Sequence, residues 1–140
     1  MFNPPNLKFK KIKKGKFKNK ELSVNATGLC FGVCGIQLLH KGTLKFSQIE
    51  AARRVISKNI KGVGKLWVCG IPNNPRTSKP SEFRMGKGKG AVSHWVLNVK
   101  AGFVLFEVSY LSGQPNYDFM YTAVKKLPIK SKVLFKQGWV

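Results

Sequence analysis

The stretch SQIEAARRVISKNIKG, residues 47–62, is the clearest structural signal in this 140-residue chain. Its apolar residues recur at the three- and four-residue spacing of one helix face, at Ile49, Ala52, Ile56 and Ile60. Ser47 and Glu50 have the spacing of a capping box, and Gly62 and Gly64 are typical helix-ending residues. The pattern predicts a helix over residues 47–61 with one side in a core. Its other side carries Arg53, Arg54, Lys58 and Lys61.

The sequence around this helix predicts short strands. Apolar or β-branched runs occupy residues 29–39, 65–71, 92–99, 103–108 and 131–135, the first broken by glycines that indicate a bulge or bend. Residues 72–80 contain three prolines and predict a loop, and residues 115–126 predict a second helix that Pro128 ends. Helices and strands do not alternate strictly. We therefore expect an α+β fold with a mainly antiparallel sheet and two helices.

The charge of the chain is strongly unbalanced. There are 26 basic residues against 5 acidic ones, a net charge of +21. Such a domain repels itself, which predicts a polyanionic partner, either nucleic acid or an anionic membrane. No apolar run approaches the roughly 18 residues that span a bilayer, and no signal-peptide core follows the basic start. We expect a nucleic-acid partner, no membrane and no homo-oligomer.

Residues 1–21 form a basic N-terminal arm, and residues 22–140 a single globular α+β domain. The arm interleaves Leu7, Phe9, Ile12 and Phe17 with lysines and contains no acid before Glu21. A purely solvated tail does not need these apolar side chains, whereas an arm that folds onto RNA can use them for stacking. We predict RNA contact for its lysines, chiefly Lys8, Lys10, Lys11, Lys13, Lys14, Lys16 and Lys18.

A long glycine- and lysine-rich loop is the sharpest local motif, and it comprises Arg84, Met85, Gly86, Lys87, Gly88, Lys89 and Gly90. Alternating glycines let a backbone approach phosphate closely. The motif is not a Walker loop, because Lys87 and Lys89 are each followed by glycine rather than Ser or Thr. Its glycines also lack the dinucleotide-binding spacing. A flexible solvated loop stays possible, and contact with the RNA backbone is the favoured interpretation.

Metal binding and catalysis find little support in the sequence. Five possible ligands, Cys30, Cys34, His40, Cys69 and His94, include no C-x-x-C pair. We interpret the cysteines as reduced thiols, with Cys30 and Cys34 as small core residues. The five acids, Glu21, Glu50, Glu82, Glu107 and Asp118, are scattered along the chain. A Cys–His nucleophile has no local motif. We expect no metal, no cofactor and no enzymatic activity.

Several motifs occur in the order found in one known family. They are Pro4-Pro5, Lys8–Lys11, Lys14–Lys16, Cys30–Gly32, Gly35-Ile36, Gln48–Arg54, Gly64–Val68, Arg84–Gly90 with Trp95, Phe106-Glu107 and Lys126–Lys130. Together they resemble the universal large-subunit ribosomal protein family called L-sixteen in bacteria and organelles. The resemblance covers nearly the whole chain, and each motif is weak alone.

The resemblance implies an α+β fold and a place on the large subunit near the aminoacyl-tRNA site. It implies contact with large-subunit rRNA through the arm lysines, Arg53 and Arg54, proximity of residues 84–90 to aminoacyl-site tRNA, and neighbouring large-subunit proteins. The chain departs from the family at Cys69-Gly70, where a basic residue is usual, and at the bulky residues 117–121, which suggest a rebuilt surface that packs on another protein.

The lysine-rich, arginine-poor arm and the absence of a transit peptide favour a mitochondrial ribosome in the matrix, with plastid and bacterial ribosomes as alternatives. Three other functions compete with a ribosomal one. They are a basic RNA-binding protein or RNA chaperone outside the ribosome, a membrane-surface protein, and an RNA-processing enzyme. A membrane-surface protein needs a long amphipathic basic helix, and an enzyme needs a convergent catalytic site. The sequence shows neither.

Overall fold

Two helices and two antiparallel sheets build the part of the chain that the computed structural model describes, residues 10–14, 28–110 and 117–136. In chain order these elements are β1 (Cys34–Leu38), β2 (Gly42–Lys45), α1 (Phe46–Ile60), β3 (Gly64–Val68), β4 (Asn74–Ser78), β5 (Ala91–Val99), β6 (Val104–Tyr110), α2 (Asp118–Val124) and β7 (Ser131–Phe135). The predicted α+β class is confirmed. Neither helix in these ranges is long and apolar enough to cross a membrane.

The larger sheet has the strand order β3-β6-β1-β7, and the smaller one has the order β2-β5-β4. The central strands β1 and β6 are buried along almost their whole length, because both faces of the larger sheet are covered. This explains the nearly continuous apolar composition of these two strands. The predicted bulge in the first strand is present as a register shift between Ile36 and Gln37.

Helix α1 buries Ile49, Ala52, Ile56 and Ile60, as the periodicity predicts. The capping box predicted from Ser47 and Glu50 is wrong. Strand β2 runs directly into the helix, so Lys45 is the N-cap and Ser47 already lies inside the first turn. The backbone N–H of Lys45 donates to Oε1 of Gln48 at 2.9 Å. At the other end Gly62 has a φ of +85°, the left-handed conformation predicted for a helix-ending glycine.

The predicted loop over residues 72–80 is wrong in part, because Asn74–Ser78 form strand β4. This strand lies at the edge of the smaller sheet and pairs with β5 alone, so Pro75 does not interrupt a second ladder of hydrogen bonds. Strand β2 was also not predicted. The strand predicted at residues 65–71 is shorter and ends at Val68.

The last two elements follow the sequence pattern closely. Strand β7 has the predicted bounds, Ser131–Phe135. The second helix spans Asp118–Val124, and the predicted first turn around Pro115 lies outside the described residues. Phe119, Met120 and Ala123 on this helix are buried in the core together with α1 and the larger sheet. The expectation that all the bulky residues at 117–121 form a rebuilt surface is therefore wrong, although Tyr121 is 54% exposed.

Candidate nucleic-acid interface

Residues 10–14 of the arm lie against the glycine- and lysine-rich loop. The Lys11 ammonium donates a hydrogen bond to the carbonyl oxygen of Lys89 at 2.8 Å, and the Lys89 ammonium donates to the carbonyl oxygen of Ile12. The structure therefore brings together the two segments that the sequence predicts to contact RNA. Among the predicted arm lysines, Lys10, Lys11, Lys13 and Lys14 are described, whereas Lys8, Lys16 and Lys18 lie outside the described residues.

The loop owes its shape to three successive residues with positive φ. Gly86 and Gly88 have φ values of +86° and +90°, and Lys87 between them has a φ of 53°. Open space surrounds the position that a Cβ would take at either glycine, so these glycines are required for backbone conformation rather than for packing. Lys79 steadies the turn by donating from Nζ to the Gly86 carbonyl oxygen at 2.5 Å. The loop is exposed from Arg84 to Lys89, and Met85 is 99% exposed.

Arg53 and Arg54 on helix α1 are not equivalent. Glu50 accepts two hydrogen bonds from Arg53, at 2.8 Å from Nε and 2.7 Å from a terminal nitrogen, and one from Arg54 at 3.2 Å. The Arg53 side chain is partly covered, whereas that of Arg54 is 76% exposed. Hydrogen bonds from Arg53 and then from Arg54 hold the pKa of Glu50 at about 2. Arg54 is thus the freer of the two predicted RNA contacts.

A basic cleft of about 560 Å³ lies between residues 12–14 and the smaller sheet. Its cationic and imidazole lining comes from Lys13, Lys14, Lys45, Arg76, Lys89 and His94. Neither Lys45 nor Arg76 was predicted from the sequence as a site residue, and His94 was considered only as a possible metal ligand. His94 and Asn98 are an even number of positions apart on one strand, so the sequence could place them on one face, but their convergence with Arg76 depends on the pairing of β4 with β5.

Glu107 has a structural role that was not predicted from the sequence. Its side chain is 2% exposed. The carboxylate accepts hydrogen bonds from the backbone N–H groups of Cys30 at 3.0 Å, Phe31 at 2.6 Å and Gly32 at 2.8 Å. Such charge-assisted bonds to a buried carboxylate are strong. They use the lone pairs that a catalytic or metal-binding carboxylate needs, so we assign Glu107 to fixing residues 30–32 on β6.

The three cysteines are free thiols in different environments. Cys34 is buried, and burial raises the pKa of its thiol to about 12. Burial and the nearby Glu107 carboxylate raise the pKa of the Cys69 thiol to about 11. Cys30 is exposed, so the prediction that it is a core residue is wrong. In residues 10–14, 28–110 and 117–136 no three His, Cys, Asp or Glu side chains are grouped to hold a metal ion.

An aromatic pair lies beside this buried carboxylate. Trp67 on β3 is only partly buried. Its ring stacks on Phe31 with a centroid distance of 6.1 Å and an interplanar angle of 21°. Phe31 is 66% exposed. The hydrogen bond from the Phe31 N–H to Glu107 therefore also sets the position of an exposed aromatic ring.

Sequence comparison places these features in a known family. The profile described as ribosomal protein L16p/L10e matches residues 4–134. This chain belongs to the ribosomal protein L16p/L10e family. The family profile spans the arm, the loop, both sheets and both helices, so the resemblance drawn from the motifs is confirmed.

Full-length relatives agree with this assignment. The chain is 43% identical over 136 residues to a protein of Buchnera aphidicola named large ribosomal subunit protein uL16, covering 97% of this chain and 98% of the relative. It is 40% identical over 134 residues to the protein of the same name from Psychrobacter arcticus, covering 96% of each. It is 40% identical over 138 residues to large ribosomal subunit protein uL16c of Emiliania huxleyi, covering 99% of each.

Replacing Glu107 with Gln tests its structural role. The variant keeps one side-chain oxygen but brings an NH₂ group toward backbone donors, so we expect the free energy of unfolding to fall by about 2–3 kcal/mol. Urea unfolding of the purified chain measures this change. The matched control is Glu82→Gln, because Glu82 is exposed, and it should change stability by less than about 0.5 kcal/mol. Equal stabilities for the two variants would contradict the role assigned to Glu107.

Replacing Arg53 with Ala tests the ion pair on helix α1. Because Arg53 is the largest cause of the lowered pKa of Glu50, we expect that pKa to rise toward its ordinary value of 4.5. In the native chain the ionised Glu50 carboxylate stabilises the fold at pH values above its unfolded pKa. This contribution to the free energy of unfolding is lost as pH falls from about 4.5 toward 2. An NMR titration of the Glu50 carboxyl carbon measures the shift. Arg54→Ala should shift it less, and a larger shift with Arg54→Ala would reverse our assignment.

Proposed function

We propose that this chain is a structural constituent of the large ribosomal subunit and that it binds large-subunit rRNA through the arm, the loop and helix α1. Membership of the family and three full-length relatives named as large-subunit proteins support the ribosomal role. The observation that carries the binding surface is the interlocking of residues 10–14 with Lys89. Neither residues 10–14 nor residues 84–90 contain an acid, so their junction is purely cationic.

The physics of this junction favours an anionic partner. Lys11 and Lys89 each donate to a backbone carbonyl oxygen of the other segment, and neither residues 10–14 nor residues 84–90 contain a carboxylate. Like charges brought together in this way repel one another, more strongly near a protein surface than in bulk water. Phosphate groups remove this repulsion and release their counterions. Each neutralised phosphate lowers log K by roughly 0.7–0.9 per tenfold rise in salt.

We assign the loop at residues 84–90 to the aminoacyl-tRNA site. Its exposure from Arg84 to Lys89 and its positive-φ backbone suit close approach to a phosphate backbone. Arg84 supplies a planar guanidinium that can bind phosphate or guanine with two hydrogen bonds. On helix α1, the exposed Arg54 contacts rRNA directly, and Arg53 contributes charge while it remains paired with Glu50.

The proposed ribosomal role does not require a catalytic residue in this protein. The acid with the deepest burial, Glu107, is occupied by backbone N–H groups, and Glu50 is paired with two arginines. The protein therefore acts by positioning RNA. The exposed Tyr121 on α2 is the residue of the 117–121 segment that we assign to a neighbouring ribosomal protein.

We place the protein in a mitochondrial ribosome in the matrix, with plastid and bacterial ribosomes as the alternatives. The support is compositional: four of the 26 basic residues are arginine, namely Arg53, Arg54, Arg76 and Arg84. The relatives named above come from two bacteria and from Emiliania huxleyi.

Sedimentation of organelle or cell lysate on a sucrose gradient tests the ribosomal role. We expect the protein to co-migrate with large subunits and intact ribosomes when magnesium is present, and with large subunits after chelation separates them. Separate gradients of purified mitochondria and of the remaining lysate test the compartment. If the protein stays at the top of every gradient, free of ribosomal RNA, the ribosomal role fails.

The double substitution of Arg84 and Lys87 with Ala tests the tRNA assignment. It removes two charges from an exposed loop, so we expect nearly normal incorporation into subunits but slower accommodation of aminoacyl-tRNA. Single-turnover dipeptide formation on purified ribosomes measures this step. The charge-matched control, Lys125→Ala with Lys132→Ala, removes two exposed lysines outside the loop and should leave the rate unchanged. Normal accommodation by the loop variant would refute the assignment.

A further inference from the structure

The floor of the basic cleft is one face of the smaller sheet. Antiparallel pairing places Lys45 and Asn74 on either side of Val96, and it places Arg76 opposite His94. Thr43 lies opposite Asn98 in the same sheet. Because directly paired residues of neighbouring strands point to the same face, their side chains converge above the sheet. Residues 12–14 and Lys89 form the wall across from this floor.

The cleft combines cationic side chains with neutral polar and apolar ones. Among the described residues that line it there is no aspartate or glutamate. Glu50, which is paired with Arg53 and Arg54, does not line the cleft. Arg76 on β4 is half-buried and lines the cleft. These features fit an anionic group, and a planar guanidinium fits the two oxygens of a phosphate.

The volume of the cleft and its neutral lining residues indicate which class of anionic ligand it can bind. A volume of about 560 Å³ is that of a small-molecule site, whereas double-stranded RNA is recognised across its wide, shallow minor groove. Asn74 and Asn98 carry amides that can bind the edge of a base, and the imidazole of His94 can stack on its face. Ile12 and Val96 add apolar contact. A phosphate joined to a flat, polar-edged ring satisfies all of these groups.

We propose that the basic cleft holds a single unpaired nucleotide of the large-subunit rRNA, turned out from its helix. Arg76 with Lys13 and Lys14 binds its phosphate, and His94 stacks on its base while Asn98 binds the base edge. The inference rests on the proposed rRNA binding and adds a distinct contact to it. The nucleotide also holds residues 12–14 of the arm in place, because these residues form one wall of the cleft and contact it.

Chemical probing of protein-bound rRNA tests the proposal. Purified full-length chain is bound to large-subunit rRNA, and base-reactive and 2′-hydroxyl-reactive reagents map the protected positions. We expect wild-type protein to protect one or two unpaired nucleotides that His94→Ala and Asn98→Ala expose again. The rest of the footprint should remain. Loss of a base-stacking contact should weaken binding roughly 10-fold.

Arg76 variants test the phosphate contact separately. Arg76→Ala should remove one phosphate contact. The slope of log K against log salt should therefore become shallower by roughly 0.7 for unpaired RNA. Arg76→Lys keeps the charge and should restore the slope. Circular dichroism confirms that each variant folds, and Lys125→Ala is the control for loss of one exposed charge outside the cleft.

The outcomes separate this inference from the proposed function. Unchanged protection and affinity in the His94, Asn98 and Arg76 variants, with wild-type binding intact, overturns the cleft proposal and leaves rRNA binding standing. Re-exposure confined to base-paired nucleotides also overturns it. If the wild-type chain itself fails to bind large-subunit rRNA, the proposed function fails as well.

Discussion

The interaction of the Glu107 carboxylate with three successive backbone N–H groups fixes the arrangement of the larger sheet. It joins residues 30–32 to the middle of β6, directly before the chain enters β1. Gly32 passes so close to the β6 backbone that a Cβ would lie 2.7 Å from the Val108 carbonyl oxygen, so no side chain fits there. The carboxylate and the glycine together determine how β1 meets β6, and both helices pack on the strands so placed.

The chain has 5 acidic residues, and the two best defined in the structure each have a specific structural partner. Glu107 is occupied inside the fold, and Glu50 is paired on the surface of α1. In the described residues, the arm, the loop and the basic cleft are left without a carboxylate to neutralise them. The result is a cationic surface that gathers the arm, the loop and the smaller sheet, and RNA supplies the missing negative charge.

Local sequence patterns were sufficient to predict the helices and strands whose formation depends on neighbouring residues in the chain. The periodicity of residues 49–60 predicted the buried face of α1, and the run at 131–135 predicted β7. Strand β4 was missed because the position of Pro75 at a sheet edge depends on distant pairing. The arm–loop contact joins residues 77 or 78 positions apart, and the cleft depends on strand register. Neither the arm–loop contact nor the cleft follows from a pattern within one segment. The role of Glu107 was not predicted for the same reason.

The edge strand β4 has a further consequence for the protein before it meets RNA. An exposed strand edge is a template onto which another chain can add, and this is the usual start of β-aggregation. Pro75 has no N–H to offer such a chain, and the register irregularity between Arg76 and Thr77 bends the same short edge. Before the chain binds RNA, this edge is therefore protected against pairing with a strand of another molecule.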